Sequence, residues 1–354
     1  MAVRQKQIDV AVLGATGAVG QRFIQLLEGH PWFRVTELIA SERSAGQRYG
    51  QATRWVLPGN PPPHIADCEV LPLDADVQSP IVFSALPSDI AKTIEWRLAE
   101  QGHMICSNAS AYRMHEDVPI LLPEANAEHA ALIGVQRRKY DWSTGGVATN
   151  SNCTTAPVVM AFAPLRPFGI EAAQVVSMQA ISGAGYPGVS ALDITENVVP
   201  YIGGEEGKVE TEPRKMLGAL DGEQIHWLDC VMSATCTRVP VIDGHLVSVS
   251  VRFAEDVTEA QILEAWQSFR GPDPVPGLPT APEQPVVVRS EPDRPQPRRD
   301  RDTGGGMATV VGRLRPDPVI GGWKFLAIAH NTVRGAAGCS ILNAELLVET
   351  GYLG

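Results

Sequence analysis

The sequence predicts an α/β fold in two parts, a doubly wound parallel sheet followed by a mixed α+β unit. Three observations carry that prediction. Short apolar β-type segments alternate with helical ones in the first 150 residues, the first strand runs into a glycine-rich turn, and longer β-rich stretches begin near residue 150. At 354 residues the chain exceeds what one compact core usually takes, so two units are expected.

The first strand is Ile8 to Leu13, and the helix after it shows Val19, Phe23, Leu26 and Leu27 at i, i+4, i+7 and i+8, one helical face. Further strands are expected at Val35 to Ala40, Ile81 to Leu86 and Met104 to Ser107, with a helix around Ile90 to Gln101. Beyond residue 150, strands are expected at Gln174 to Ile181 and Leu246 to Phe253, and a helix over 258–269. Residues 271–302 hold nine prolines and mixed charge, which predicts a polyproline-like loop or a partly ordered lobe. Asn331 to Leu347 reads as a closing helix. The expected division is 1–150, completed by a C-terminal helix at about 331–354, and 151–330.

Composition narrows the function classes. With 40 acidic and 29 basic side chains the net charge is −11, which opposes general attraction to nucleic acid or to an anionic membrane. Anions must then be bound at focused sites. The six cysteines are scattered without CxxC pairs, so neither a disulfide scaffold nor a metal site is expected. No apolar leader or spanning run is seen, and a cytoplasmic location is the expectation.

Gly14, Gly17 and Gly20 sit where the first strand hands over to the helix, with Thr16, Ala18 and Val19 between them. Such a turn can be tight, lets a pyrophosphate approach the backbone, and points free N–H groups at the anion. In this context the pattern predicts a Rossmann-like dinucleotide site. At the end of the second strand stands Ser41-Glu42-Arg43-Ser44. An arginine between two hydroxyls suits a 2′-phosphate, which favours NADP(H); Glu42 keeps NAD open.

Among the cysteines, Cys153 stands apart because it follows Asn152, a candidate N-cap, directly before a helical pattern with Pro157 near its start. A thiol in a first helical turn is expected to be favoured as the nucleophilic thiolate. A thiolate beside a nicotinamide suggests attack on a carbonyl, hydride transfer and a thioester. Of eight histidines, His245 is the best acid/base candidate, following an Asp243-Gly244 hairpin signal after Arg238-Val239-Pro240. In an ideal hairpin Arg238 and His245 would lie on the order of 13 Å apart, converging only through a bulge or loop.

These residues belong to a longer series: GATGAVG (14–20), ASERSAG (40–46), SNASAYRM (107–114), SNCTT (151–155), MQAISGAGYPG (178–188), YIGGEEGKVETEP (201–213), TRVPVIDGH (237–245) and HNTVRGAAG (330–338). In that order they closely resemble the aspartate-β-semialdehyde dehydrogenase family, in its archaeal and fungal branch. The resemblance implies that Cys153 is the acyl-accepting nucleophile, His245 the acid/base group and Gln179 the residue orienting substrate and thioester. It implies Arg238 for the substrate α-carboxylate and Glu205 for its amino group, with Glu206 an open alternative. Arg113, Asn152 and Lys208 would bind phosphate. Thr16 to Val19, Ser41, Arg43, Ser44, Ser182, Gly183 and Asn331 would contact NADP.

The implied reaction is the reversible, phosphorylating reduction of aspartyl-4-phosphate to aspartate-4-semialdehyde, a step of lysine, threonine and methionine biosynthesis. The implied assembly is a homodimer or homotetramer, with the second unit serving catalysis and dimerisation. A malonyl-CoA reductase on the same scaffold, an N-acetyl-glutamyl-phosphate reductase and a non-catalytic NADP sensor are the rival readings.

Overall fold

The computed structural model describes residues 7–353. Residues 1–6 of the first expected unit and Gly354 of the closing segment lie outside the described residues. Six parallel strands form the first sheet: β1 (Ile8–Leu13), β2 (Phe33–Ile39), β3 (Val70–Leu71), β4 (Ile81–Ser84), β5 (Met104–Ser107) and β6 (Gly146–Thr149). Their order is β3-β2-β1-β4-β5-β6, with reversal between β1 and β4. Ligands of doubly wound sheets bind outside the carboxyl ends of strands at such a switch point. The glycine turn, Asn108 and Cys153 all follow the carboxyl ends of these strands.

The glycines of that turn have separate jobs. Gly14 adopts a left-handed φ of 71°, and a Cβ there would meet the Ala85 carbonyl at 2.7 Å. At Gly20 a Cβ would lie 2.2 Å from the Gly14 carbonyl, so this glycine lets the Ala18–Leu27 helix pack on the turn.

The second sheet holds β7 (Ile170–Gln179), β10 (Val231–Arg238), β11 (His245–Phe253), β12 (Val286–Arg289), β13 (Thr309–Asp317) and β14 (Gly322–Ala329), in the order β10-β7-β11-β14-β13-β12. Two short strands, β8 (Ala219–Asp221) and β9 (Gln224–His226), pair separately. Alternate residues of β7 and β11, among them Val175, Val247, Val249 and Val251, bury one face against the helix Thr155–Phe162, itself buried throughout. The helix expected at 258–269 runs Glu259–Ser268 behind a Thr258–Gln261 capping box.

Two expectations are corrected. Residues 271–302 are folded: Val275, Leu278 and Val286 enter the cores, and buried Asp300 accepts from Arg289, Arg294 and the Gln296 backbone. Prolines fix φ cheaply in the unfolded chain, and a buried carboxylate saturated by two guanidiniums supplies the anchor that their spacing alone does not reveal. The closing helix begins later than expected, at Gly338, after a one-turn π segment at Val333–Ala337. The Gly338–Glu349 helix returns to the first sheet, beside β4, β5 and the Ala18–Leu27 helix.

Between these layers lies an ion pair with both side chains fully buried, Arg334 Nη2 to Glu124 Oε2 at 2.7 Å. Removing one partner strands the other charge. Glu124→Leu is expected to cost about 3–5 kcal/mol of unfolding free energy in urea titrations, while the double change Glu124→Leu/Arg334→Met recovers most of it.

Candidate active site

Three strands of the second sheet end together. Arg238 is paired with Gln179 across β10 and β7, and Leu246 with Met178 across β11 and β7, which sets His245 beside Gln179. Same-face neighbours across strands meet, so Arg238, Gln179 and His245 form one buried row. This overturns the expected hairpin. β7 lies between β10 and β11, so Arg238 and His245 are two strands apart, with no shared turn to separate them along the sheet.

Ala180 ties the row together. Its carbonyl accepts from Arg238 Nη1 at 2.8 Å, and its N–H donates to His245 Nδ1 at 3.0 Å. With Nδ1 an acceptor, the neutral imidazole carries its proton on Nε2, a buried nitrogen without a protein partner. Burial, then the charges of Arg238 and His330, push the ring's pKa down to about 3. His245 therefore offers a neutral Nε2–H donor. Gly183 crosses above it: a Cβ there would lie 2.8 Å from Arg238 Nη1 and 2.9 Å from His245 Nε2.

The nucleophile segment follows β6. The regular helix starts at Thr155 with Thr154 at the N-cap position, two residues later than expected for Asn152 as cap. Asn152 nevertheless accepts from the Thr154 N–H at 2.8 Å, and its carbonyl takes the Ala156 N–H at 3.1 Å. Cys153 thus stays in the leading turn. Gly335, unnoticed in the sequence as a site residue, packs on it so closely that a Cβ would be 2.7 Å from Cys153 Cβ.

The helix Glu205–Met216 supplies the charges. Glu205 accepts from Lys208 Nζ at 2.9 Å, Asn152 Nδ2 at 2.8 Å and Gln179 Nε2 at 3.4 Å. Glu206 instead accepts from the Cys236 backbone N–H, so of the two candidate acids Glu205 is the one facing this cluster. Arg113 is buried and donates to the carbonyls of Asn150 and Asn108 and to Glu212.

A cavity of about 1060 Å³ is bordered by Cys153, Asn152, Arg113 and Lys208 on one side and by Ala18 and Val19 on the other, while Gln179, Glu205, Arg238 and His245 lie outside its lining. Ser182, Gly183 and Asn331 also line it. Asn331 donates to Ser182 Oγ and accepts from the Gly244 N–H, so it pins two loops. Gly14, Thr16, Gly17 and Gly20 shape the turn behind Ala18, while Ser41, Arg43 and Ser44 form the turn after β2, outside the cavity lining. Arg22 and Arg301 reach the cavity as well, and neither stood out in the sequence.

The chain is similar to known proteins over nearly its whole length. Residues 9–133 match the family model "semialdehyde dehydrogenase, NAD binding domain", and 162–334 match "semialdehyde dehydrogenase, dimerisation domain". An aspartate-semialdehyde dehydrogenase of Archaeoglobus fulgidus is 52% identical over 342 residues, covering 96% of this chain and 98% of that one. The chain belongs to the aspartate-semialdehyde dehydrogenase family. The crystal structure of aspartate semialdehyde dehydrogenase with NADP from Candida albicans superposes with a TM-score of 0.89 at 38% identity, covering 98% of this chain and 100% of that one. A malonyl CoA reductase (NADP) of Metallosphaera sedula is similar at 36% identity over 359 residues, 99% of each chain.

In this family member the thiol does not rest as the expected thiolate. Enclosure, then the Glu205 carboxylate, push the Cys153 pKa up to about 12 against the opposing pull of Arg113 and Arg238. The leading-turn dipole is the weaker effect. All six cysteines are free, and among the described residues no cluster of His, Cys, Asp or Glu could hold a metal ion and no helix is long and apolar enough to cross a membrane. Removing the Glu205 charge should lower the thiol pKa. Glu205→Gln is expected to speed iodoacetamide alkylation of Cys153 at pH 7–8 and shift its pH profile to lower pH; an unchanged profile would exclude Glu205 as a determinant.

Proposed function

We propose that this chain reduces L-aspartyl-4-phosphate to L-aspartate-4-semialdehyde with NADPH through a thioester on Cys153, and catalyses the reverse oxidation with inorganic phosphate. The observation carrying this reading is the shared cavity between Cys153, its cationic neighbours Arg113 and Lys208, and the glycine turn. Family membership supports it.

The residues present fit NADP. The tight turn that Gly14 and Gly20 permit opens directly into the Ala18–Leu27 helix, whose N-terminal N–H groups suit a pyrophosphate, and exposed Arg43, between Ser41 and Ser44, suits a 2′-phosphate. When bound, the cofactor supplies the hydride. The Arg238 guanidinium binds the substrate α-carboxylate in two-point fashion. Glu205 takes the substrate ammonium, which frees Lys208 to join Arg113 and Asn152 on the phosphate.

Cys153 Sγ then bonds to the acyl carbon, the carbon–oxygen bond to phosphate breaks, and the thiol proton leaves on the departing phosphate. With the cofactor's hydride on the thioester carbon, the resulting alkoxide would be held by the His245 Nε2–H and oriented by Gln179. Its collapse forms the aldehyde, breaks the C–S bond and returns Cys153 as a thiolate, which takes a proton from solvent. His245 acts here as a neutral donor, narrower than the acid/base role the resemblance implies, because Ala180 holds its Nδ1.

The assembly we infer is a homodimer across the outer face of the second sheet. Val176 and Val231 stand exposed there beside half-buried Met178 and Leu246, within the stretch that matches the dimerisation domain. Six unpaired cysteines fit a reducing compartment.

Cys153→Ala is expected to abolish reduction of aspartyl phosphate while NADPH still binds by fluorescence titration; full turnover in that variant would sink the reading. Malonyl-CoA, with no ammonium to release Lys208 from Glu205 and no acyl phosphate for Arg113 and Lys208, should turn over at least about a hundredfold more slowly than aspartyl phosphate, as for loss of one or two charge-assisted hydrogen bonds. For the assembly, Val176→Glu/Val231→Glu should shift the sedimenting species from dimer to monomer.

A further inference from the structure

The helix Glu205–Met216 carries four charged residues at positions 205, 208, 212 and 215, spaced so that all four share one face. Lys208 lines the cavity already described, and Glu205 accepts from it. Glu212 and Lys215 lie one and two turns further along, are both 2% exposed, and have no part in the reaction as derived.

Glu212 divides its carboxylate between two chain segments. Oε1 accepts from Arg113 Nη1 at 3.0 Å, and Oε2 accepts from the Asn152 backbone N–H at 2.6 Å. The first segment carries the guanidinium that faces the cavity, and the second carries the residue next to Cys153. Lys215 anchors the same Arg113 segment from behind, its ammonium donating to the carbonyls of Arg113, His115 and Val118 at 2.7–2.8 Å. That saturates its three donors.

We propose that Glu212 is a positioning residue for phosphate recognition: one carboxylate sets the distance between the Arg113 guanidinium and the Cys153 segment. The argument rests on the reading of Arg113 as a phosphate ligand. Arg113 Nε and Nη2 are each committed to a backbone carbonyl. Its third hold, on Glu212, is charge-assisted and fixes the rotation of the guanidinium fork, so that the remaining N–H bonds point in a set direction. The same carboxylate supplies the acceptor for an N–H in the nucleophile segment that would otherwise be buried without one. A glutamine at 212 keeps one carbonyl oxygen and can satisfy Asn152 or Arg113, not both, and presents an amide N–H₂ to whichever group it fails.

The test measures aldehyde oxidation as phosphate is varied, for wild type, Glu212→Gln, Arg113→Ala and the double variant. Expected for Glu212→Gln is a fall in kcat/KM for phosphate of about tenfold or more, carried mainly by KM, as for loss of one charge-assisted hydrogen bond. KM for NADP should stay within about twofold, which shows an intact fold and cofactor site. In the Arg113→Ala background the same change at 212 should have little further effect. Wild-type phosphate dependence in folded Glu212→Gln, or an undiminished effect in the Arg113→Ala background, overturns the inference. An Arg113→Ala variant with unaltered phosphate dependence overturns the underlying reading of Arg113 instead. Should Glu212→Gln fail to fold, Glu212→Asp, with its charge kept and its reach shortened, is compared in the same way: a raised KM for phosphate supports the inference, and wild-type phosphate dependence overturns it.

Discussion

The site depends on one strand pairing pattern. β7 lies between β10, parallel to it, and β11, antiparallel to it, and their register brings Arg238, Gln179 and His245 into a single row. Side chains alternate faces along a strand, so a one-residue slip of either partner would send its residue to the opposite face. The valines of the buried face resist such a slip, because it would expose Val247, Val249 and Val251 together. Packing of the apolar core thus holds the polar row in place, and Ala180 converts that row into fixed hydrogen-bond directions.

Charge is arranged on the same principle of holding groups before they are used. The chain carries a net −11, yet its proposed ligands are anions, so its site cations work against the protein's general field. The three cations nearest Cys153 are partnered at rest: Lys208 by Glu205, Arg113 by Glu212, Arg238 by the Ala180 carbonyl. A buried cation without a partner would be costly, and a fully neutralised one could not attract substrate. Sharing a carboxylate lies between these limits. In the proposed mechanism Glu205 exchanges Lys208 for a substrate ammonium without leaving a bare charge, which makes amine binding and phosphate binding parts of one rearrangement.

Much of this was legible in the sequence. The glycine turn, the alternating elements and the helix-start cysteine are local patterns, and local patterns survive in a one-dimensional reading. What failed was non-local. The Asp243-Gly244 signal suggested a hairpin because β10 and β11 are neighbours in sequence; the strand that separates them ends at Gln179, far upstream of His245, and no turn residue announces it. Which of Glu205 and Glu206 faces the cluster depends on helix rotation, which shows only in what each carboxylate meets. Gly335 and Arg301 escaped notice because their roles exist only once distant segments meet: one leaves space beside Cys153, the other comes from a proline-rich stretch whose anchor is a buried carboxylate at its far end.

The resting thiol also limits how the reaction can be written. A thiol raised to about 12 is almost wholly protonated near neutral pH, and the imidazole at 245 has its free nitrogen already bearing a proton. By themselves the two groups are not set up as a strong acid–base pair. Substrate changes both terms: its ammonium offsets the Glu205 charge that holds the thiol up, and its leaving phosphate provides an oxygen for the thiol proton. Activation would then belong to the complex. A substrate without the ammonium would leave the Glu205 charge holding the thiol up, so in the proposed mechanism the carboxylate that raises the Cys153 pKa also favours an amino-bearing substrate.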